Sequence, residues 1–253
     1  MTDLRSRIHA GETLIGAFSD LASPLAAELL GQAGMDWVVL DLEHGAATEA
    51  DLLALLYAVA STPMAPIVRP PSAERLRIGR ALDLGAAGIM LPQLQSIEEV
   101  RQAVAYLRYP PVGSRGVALR TRGADMGAHT HADLARVVNQ RIVGIVQIES
   151  PGAVAAADDI AALDEVDVLF VGPADLSHGL GIPGRFDDPV FMDALKAVVA
   201  ATERHGKAAG ILLYDGAAAE RHMELGYRFI GLGSEGSYVT VGAKAMLKAA
   251  GRA

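Results

Sequence analysis

The chain has 253 residues, 51% of them hydrophobic, with no cysteine and a formal net charge of −8. That length and apolar content suit one full-sized α/β domain, and the acidic balance argues against nucleic acid or an anionic membrane as the main partner, since both need clustered cations. Without cysteine there are no disulfides or thiolate sites, so any metal would be held by oxygen or nitrogen ligands, and oxygen ligands favour Mg, Mn or Co.

Met1 to Gly11 carries Asp3, Arg5, Arg7 and His9 in place of an apolar signal segment. No apolar run reaches the roughly 18 residues of a membrane span, so a soluble, cytoplasmic protein with no membrane partner is expected. From Leu14 onward, short β-rich runs alternate with alanine- and leucine-rich segments of helical period, the pattern of a parallel sheet with crossover helices. Strands are expected at Leu14 to Phe18, Trp37 to Leu40, Ile67 to Arg69, Gly88 to Leu91, Val143 to Ile148, Val168 to Val171, Ala208 to Leu212 and Phe229 to Leu232. Helices are expected near Pro24 to Ala33, Glu49 to Ala60, Ala73 to Leu84, Ile97 to Leu107, Ala153 to Leu163, Pro189 to His205, Ala217 to Leu225 and Val239 to Ala250. Gly34, Gly85, Gly206 and Gly226 fall where a helix ends and a left-handed residue is wanted. Eight such units with no break in composition predict one domain over residues 1–253, an α/β fold of the (β/α)8 TIM-barrel class. The longest irregular stretch, Tyr109 to Thr130, is expected to be a functional cover.

A barrel of this kind puts its chemistry at the carboxyl ends of the strands. The polar residues there are Asp41, Glu43 and His44, then Arg69, Gln93, Gln147 with Glu149, Asp175, Tyr214 with Asp215, and Ser234 with Glu235. Glu149 and Asp175 follow neighbouring strands, which lie about 4.8 Å apart in a parallel sheet, so both carboxylates can converge on one cation. Asp175, ahead of Leu176-Ser177, also fits a simple helix cap. His44, directly after a buried strand and beside two acids, suits acid/base work near neutral pH. Arg69 closes an apolar strand where an unpaired guanidinium is costly, so it should meet a protein carboxylate or an anionic substrate.

Gly231-Leu-Gly-Ser-Glu-Gly236 matches G-x-G-x-x-G but follows the last strand, so it is no dinucleotide fingerprint. Its amides would either face an anion or form a tight packing turn. His129 and His131 read as solvated loop residues.

Five segments, Trp37-Val-Val-Leu-Asp41-Leu-Glu-His44, Pro66-Ile-Val-Arg69-Pro70, Tyr109-Pro-Pro-Val-Gly-Ser-Arg115-Gly116, Val146-Gln147-Ile-Glu149 and Gly172-Pro-Ala-Asp175-Leu-Ser177, occur in order along nearly the whole chain. Together they resemble the HpcH/HpaI aldolases, class II pyruvate aldolases typified by 4-hydroxy-2-oxoheptane-1,7-dioate aldolase. The resemblance implies a divalent-metal-dependent aldolase that reversibly cleaves 4-hydroxy-2-oxo acids to pyruvate, or a close analogue, and an aldehyde through a metal-stabilised enolate. It implies Glu149 and Asp175 as metal ligands, with water and pyruvate's oxygens completing the coordination. Arg69 would stabilise the enolate oxygen, and His44, or a metal-bound hydroxide that it assists, would be the base. Gln147 and the backbone of Ala174 would position pyruvate, and Leu212 would line the aldehyde side. Phe18 stands where some relatives have tryptophan, which bears on aldehyde preference.

Asp83 matches the aspartate that raises the histidine's basicity. A helix end near the opposite face cannot bring it to His44 in the same chain, so the resemblance implies a site completed across an interface, in a homohexamer (trimer of dimers) with an exchanged carboxyl-terminal helix. A Schiff-base aldolase would need a lysine at a strand's carboxyl end; Lys196, Lys244 and Lys248 read as helical and Lys207 precedes a strand. Two alternatives stay open: a related lyase acting on a CoA thioester or phosphonate, anchored by Arg120 and Arg122, and a non-catalytic small-anion binding barrel.

Overall fold

Residues 3–252 are described by a computed structural model. Eight parallel strands, β1 (Leu14–Ser19), β2 (Trp37–Asp41), β3 (Ala65–Arg69), β4 (Gly88–Leu91), β5 (Val143–Ile148), β6 (Val168–Val171), β7 (Ala208–Leu213) and β8 (Tyr227–Ser234), pair in sequence order into a closed barrel. Each agrees with its expected run to within a few residues.

Period-two alternation sorts the side chains into two apolar layers. Trp37 and Val39 of β2, Ile67 of β3, Val143 and Ile145 of β5 and Phe170 of β6 fill the barrel interior, while Val38, Leu40, Val68 and Val146 face the surrounding helices. The Trp37 and Phe229 rings stack at 4.2 Å, with Phe170 edge-on to both. Gly16 makes room for this stack, since a Cβ there would lie 2.1 Å from the Trp37 ring.

The helices are α1 (Leu4–His9), α2 (Pro24–Gln32), α3 (Leu52–Ala60), α4 (Arg75–Leu84), α5 (Ile97–Ala105), α6 (His131–Val138), α7 (Pro151–Ala155), α8 (Ala157–Ala161), α9 (Pro173–Gly179), α10 (Pro189–His205), α11 (Ala219–Leu225) and α12 (Glu235–Ala249). Gly34, Gly85, Gly206 and Gly226 all have positive φ, as expected at helix exits. The expected helix Ala153 to Leu163 is two short ones broken at Ala156, and the last helix begins at Glu235, four residues early, where Ser234 and Ser237 form a capping box.

Three short helices, α1, α6 and α9, escaped the sequence pattern. The first, α1, closes the amino end of the barrel with Leu4 and Ile8 buried in the interior cluster. In that floor Asp167 is fully buried, bonded to Arg5 Nε at 2.8 Å and the Gly144 amide at 2.9 Å. The third, α9, directly follows β6 because Gly172 can serve as N-cap and Pro173 is tolerated in the first turn.

The expectation for Tyr109 to Thr130 needs correction. This stretch runs from α5 toward β5 and so lies on the amino-end side of the barrel, away from the strands' carboxyl ends. Arg115 there bonds Asp83 at 2.8 Å, and Arg122 stacks over Tyr57 at 4.2 Å. Within one chain the loop covers no site, and the proposed anchors Arg120 and Arg122 do not reach the mouth.

Candidate active site

The alternation that sends Trp37 and Val39 inward delivers Asp41 to the barrel mouth, and the same rule places Arg69 above Ile67 and Gln147 above Ile145. Asp41 and Arg69 are register partners on β2 and β3. Their side chains form a bidentate pair, Nε to Oδ1 at 2.9 Å and Nη2 to Oδ2 at 2.6 Å, both buried. The third guanidinium nitrogen lies 3.1 Å from Glu43 Oε2. Arg69 thus meets protein carboxylates, one of the two outcomes open from sequence, and its guanidinium sits 5.1 Å from the Phe18 ring centre. Burial pushes the Asp41 carboxyl up, but the hydrogen bonds and charge of Arg69, with the amides of Glu43 and His44, outweigh it and hold the pKa below its ordinary value.

His44 is placed by its backbone, whose N–H donates to Asp41 Oδ1 at 3.3 Å. Its ring is 63% exposed with Nε2 3.9 Å from Glu43 Oε2, free to meet a substrate at the mouth. Glu149 is braced on both oxygens: Oε1 accepts from the Gln93 amide at 2.6 Å and Oε2 from Gln147 Nε2 at 2.9 Å. Gly172 leaves it room, since a Cβ there would come within 3.2 Å of its side chain. Burial pushes the Glu149 pKa up; the Gln93 amide opposes this and the charges of Glu43 and Asp175 reinforce it, for a value above the ordinary one. The buried Gln147 Oε1 has no partner among the described residues, an acceptor open to a ligand's hydroxyl.

Asp175 lies in the first turn of α9 and does not cap it; Gly172 is the N-cap. The Ala174 carbonyl accepts from Ser177 Oγ at 2.8 Å, and the neighbouring first-turn amides have no intrahelical acceptor. Leu212 is partly buried against the interior cluster at the end of β7.

The mouth therefore gathers Asp41, Glu43, Glu149 and Asp175 around one guanidinium, and that guanidinium is already engaged by the first two. Neither Glu149 nor Asp175 forms an ion pair among the described residues, and no third histidine or acid joins them in a closed ligand cluster. Two hard oxygen donors in a site of excess negative charge fit a divalent cation of the Mg or Mn type that keeps positions for water and substrate.

Sequence reasoning noted Gln93 and Glu43 as strand-end polar residues but gave them no role. Gln93 donates its amide N–H to Glu149 and its side-chain Nε2 to Glu43 Oε1 at 2.7 Å, tying two acids together. Other candidates lie elsewhere. Asp83 ends α4 near the barrel floor and is not brought to His44 within this chain. His129 is not solvated but bonded to Asp125 at 2.7 Å, and His131 begins α6. At the Gly231 to Gly236 turn, the Ser234 amide and that of Ser237 just beyond it serve the α12 cap and the Gly236 amide donates to Asp20, so these three amides are used within the chain. Lys207 donates to the Leu163 carbonyl near the floor, far from a Schiff-base position.

The sequence profile of the HpcH/HpaI aldolase/citrate lyase family matches residues 14–241. A hydroxypyruvate/pyruvate aldolase of Agrobacterium fabrum is 36% identical over 91% of this chain and 86% of its own length. A 5-keto-4-deoxy-D-glucarate aldolase of Enterobacter sp. is 40% identical over 91% and 90%. The crystal structure of an HpcH/HpaI aldolase/citrate lyase family protein from Burkholderia cenocepacia superposes with a TM-score of 0.92 at 36% identity, covering 99% of both chains.

Proposed function

The chain belongs to the HpcH/HpaI aldolase/citrate lyase family and is a pyruvate aldolase, a carbon–carbon lyase; we propose that it works with a divalent cation, Mg, Mn or Co, held by Glu149 and Asp175. Its reaction is the reversible cleavage of a 4-hydroxy-2-oxo acid to pyruvate, or a close 2-oxo acid, and an aldehyde. One observation carries this reading: two carboxylates that form no ion pair among the described residues, one of them braced on both oxygens, stand beside a fixed guanidinium at the carboxyl ends of barrel strands.

A cation held by Glu149 and Asp175 would supply Lewis-acid polarisation of the 2-oxo group. The chain's own groups do the rest. Gln147 and the Ala174 backbone orient the 2-oxo acid, and Arg69, held rigid by Asp41, stabilises negative charge on the enolate oxygen as it develops. In the condensation direction His44, directly or through water, receives a proton as a methyl C–H bond breaks. The enolate carbon then bonds to the aldehyde carbon, and the aldehyde oxygen takes up the proton. Cleavage reverses these steps. Family membership sets aside the non-catalytic barrel, and the CoA-thioester or phosphonate reading loses its arginine anchors within one chain.

The same reading includes a homohexamer whose interface brings a partner's Asp83 equivalent toward His44. Its support is α12, which carries Val239 and Val241 at 65% and Met246 at 74% exposure, an apolar surface suited to exchange between subunits. A hexameric mass in sedimentation checks it, and a stable monomer contradicts it. Among the described residues no helix is long and apolar enough to cross a membrane, and a cytoplasmic location belongs to the proposal.

The test is a retro-aldol assay over a panel of 4-hydroxy-2-oxo acids with chelated and metal-restored protein. Pyruvate release that disappears on chelation and returns with Mg, Mn or Co is expected. Release that survives thorough chelation contradicts the metal assignment.

A further inference from the structure

The segment Tyr109-Pro-Pro-Val-Gly-Ser-Arg115-Gly116 takes no part in the mouth of its own chain, yet its backbone is pinned around one side chain. Asn139 holds Tyr109, accepting from its N–H at 2.7 Å and donating to its carbonyl at 3.0 Å. The chain then turns back on α5: the Ser114 N–H donates to the Ala105 carbonyl at 2.7 Å and the Arg115 N–H to the Arg108 carbonyl at 2.9 Å. Only glycine fits at position 113, since a Cβ there would lie 2.3 Å from the Ala105 oxygen.

The turn delivers Arg115, whose side chain is 1% exposed and whose guanidinium lies 4.4 Å from the Tyr109 ring centre. Its Nη2 donates to Asp83 Oδ1 at 2.8 Å, while the buried Nε and Nη1 have no hydrogen-bond partner among the described residues. A guanidinium placed for stability alone would engage its fork, as Arg69 does on Asp41. Arg115 instead holds one oxygen of Asp83 and leaves Oδ2 without a hydrogen bond among the described residues, on a side chain 29% exposed and so reachable from outside the chain.

We propose that Arg115 is a positioning residue of the active site: it clamps Asp83 Oδ1 so that the other oxygen can accept from the His44 ring of a second copy of this chain and orient that base. A fixed carboxylate beside an imidazole sets its tautomer and favours its protonated form. The charged groups His44 meets in its own chain are Glu43 at 3.9 Å, with Asp41 and Arg69 behind it. The proposal rests on the aldolase reading with its shared site and deepens it.

The test is exchange of pyruvate's methyl protons by the metal-loaded protein, followed against pH. Asp83→Asn should slow exchange and move the rising limb of the pH profile to lower pH, because an imidazole without its carboxylate gives up its proton more readily. Arg115→Lys keeps the positive charge but loses the stacked, rigid guanidinium. It should slow exchange about tenfold, the worth of one hydrogen bond to a charged group, and shift the limb in the same direction. In the Asp83→Asn background the same change should have no further effect. Tyr109→Leu, which removes the stacking ring, should follow Arg115→Lys in direction and carries the test should that variant not fold. Wild-type rate and limb in Arg115→Lys and Tyr109→Leu, or an equal loss from Arg115→Lys with and without Asp83, overturns the positioning role and leaves the aldolase reading standing. Wild-type behaviour of Asp83→Asn overturns the shared site and Arg115's role with it, and absence of exchange in the wild type overturns the aldolase reading itself.

Discussion

Gln93 has a left-handed backbone, φ 53°, two residues beyond β4. A side chain of this kind adopts that region only at a cost of order 1 kcal/mol, and here the conformation aims the backbone N–H at Glu149 and the side-chain amide at Glu43. Glu43 in turn contacts Arg69, whose other nitrogens are locked on Asp41. The amide therefore holds one Glu43 oxygen while Arg69 meets the other, which fixes the carboxylate against the guanidinium. Gln93→Leu removes the amide donor and spares the backbone N–H. It should slow pyruvate enolisation about tenfold, the worth of one hydrogen bond to a charged group, with Mn affinity by titration unchanged. An unaltered rate would mean that Glu43 holds its place without Gln93.

Among the elements, the strands and long helices were legible because burial writes period-two and period-3.6 patterns into the chain. The short helices were not. The six residues of α1 and seven of α9 carry too few turns for a periodic signal, so α9's placement of Asp175 in a first helical turn was hidden. Asp41 and Arg69 were both visible at strand ends, but their pairing depends on the β2–β3 register, which no local pattern encodes. Gln93 escaped because only a glycine announces a left-handed residue in sequence. The long loop was misplaced for a different reason: its length suggested a cover, whereas a segment between a helix and the following strand must lie at the amino end.

The floor formed by α1 has its own prediction. Asp167 is buried with Arg5, His9 at 2.8 Å and Arg108 at 3.7 Å around it. Burial pushes its carboxyl up, but His9, Arg5, the Gly144 amide and Arg108 outweigh this and lower the pKa. Burial in turn draws the Arg108 guanidinium down to about 10. Asp167→Asn leaves the buried Arg108 guanidinium without its carboxylate and should cost about 3–5 kcal/mol in chemical denaturation at pH 7. Because the folded pKa is depressed, the carboxylate's contribution is fully present above the unfolded value near about 3.9 and is lost as pH falls through the folded value. The gap between wild type and variant should accordingly narrow below about pH 4; a gap that widens on acidification would contradict this role.

Across the whole molecule the barrel separates two electrostatic problems. At the floor a lone buried acid is surrounded by cations and serves stability. At the mouth acids outnumber the Arg69 guanidinium, and neither Glu149 nor Asp175 has an ion-pair partner among the described residues. Such an arrangement destabilises the empty site in proportion to what a divalent cation can relieve, so the mouth is built for the bound state. The most direct measurement is deuterium exchange into the methyl group of pyruvate, followed by proton NMR in heavy water. Metal-restored wild type should exchange, while chelated wild type and Glu149→Gln should fall to the buffer rate. Exchange that persists in Glu149→Gln at the wild-type rate would contradict a metal-centred enolisation at this site.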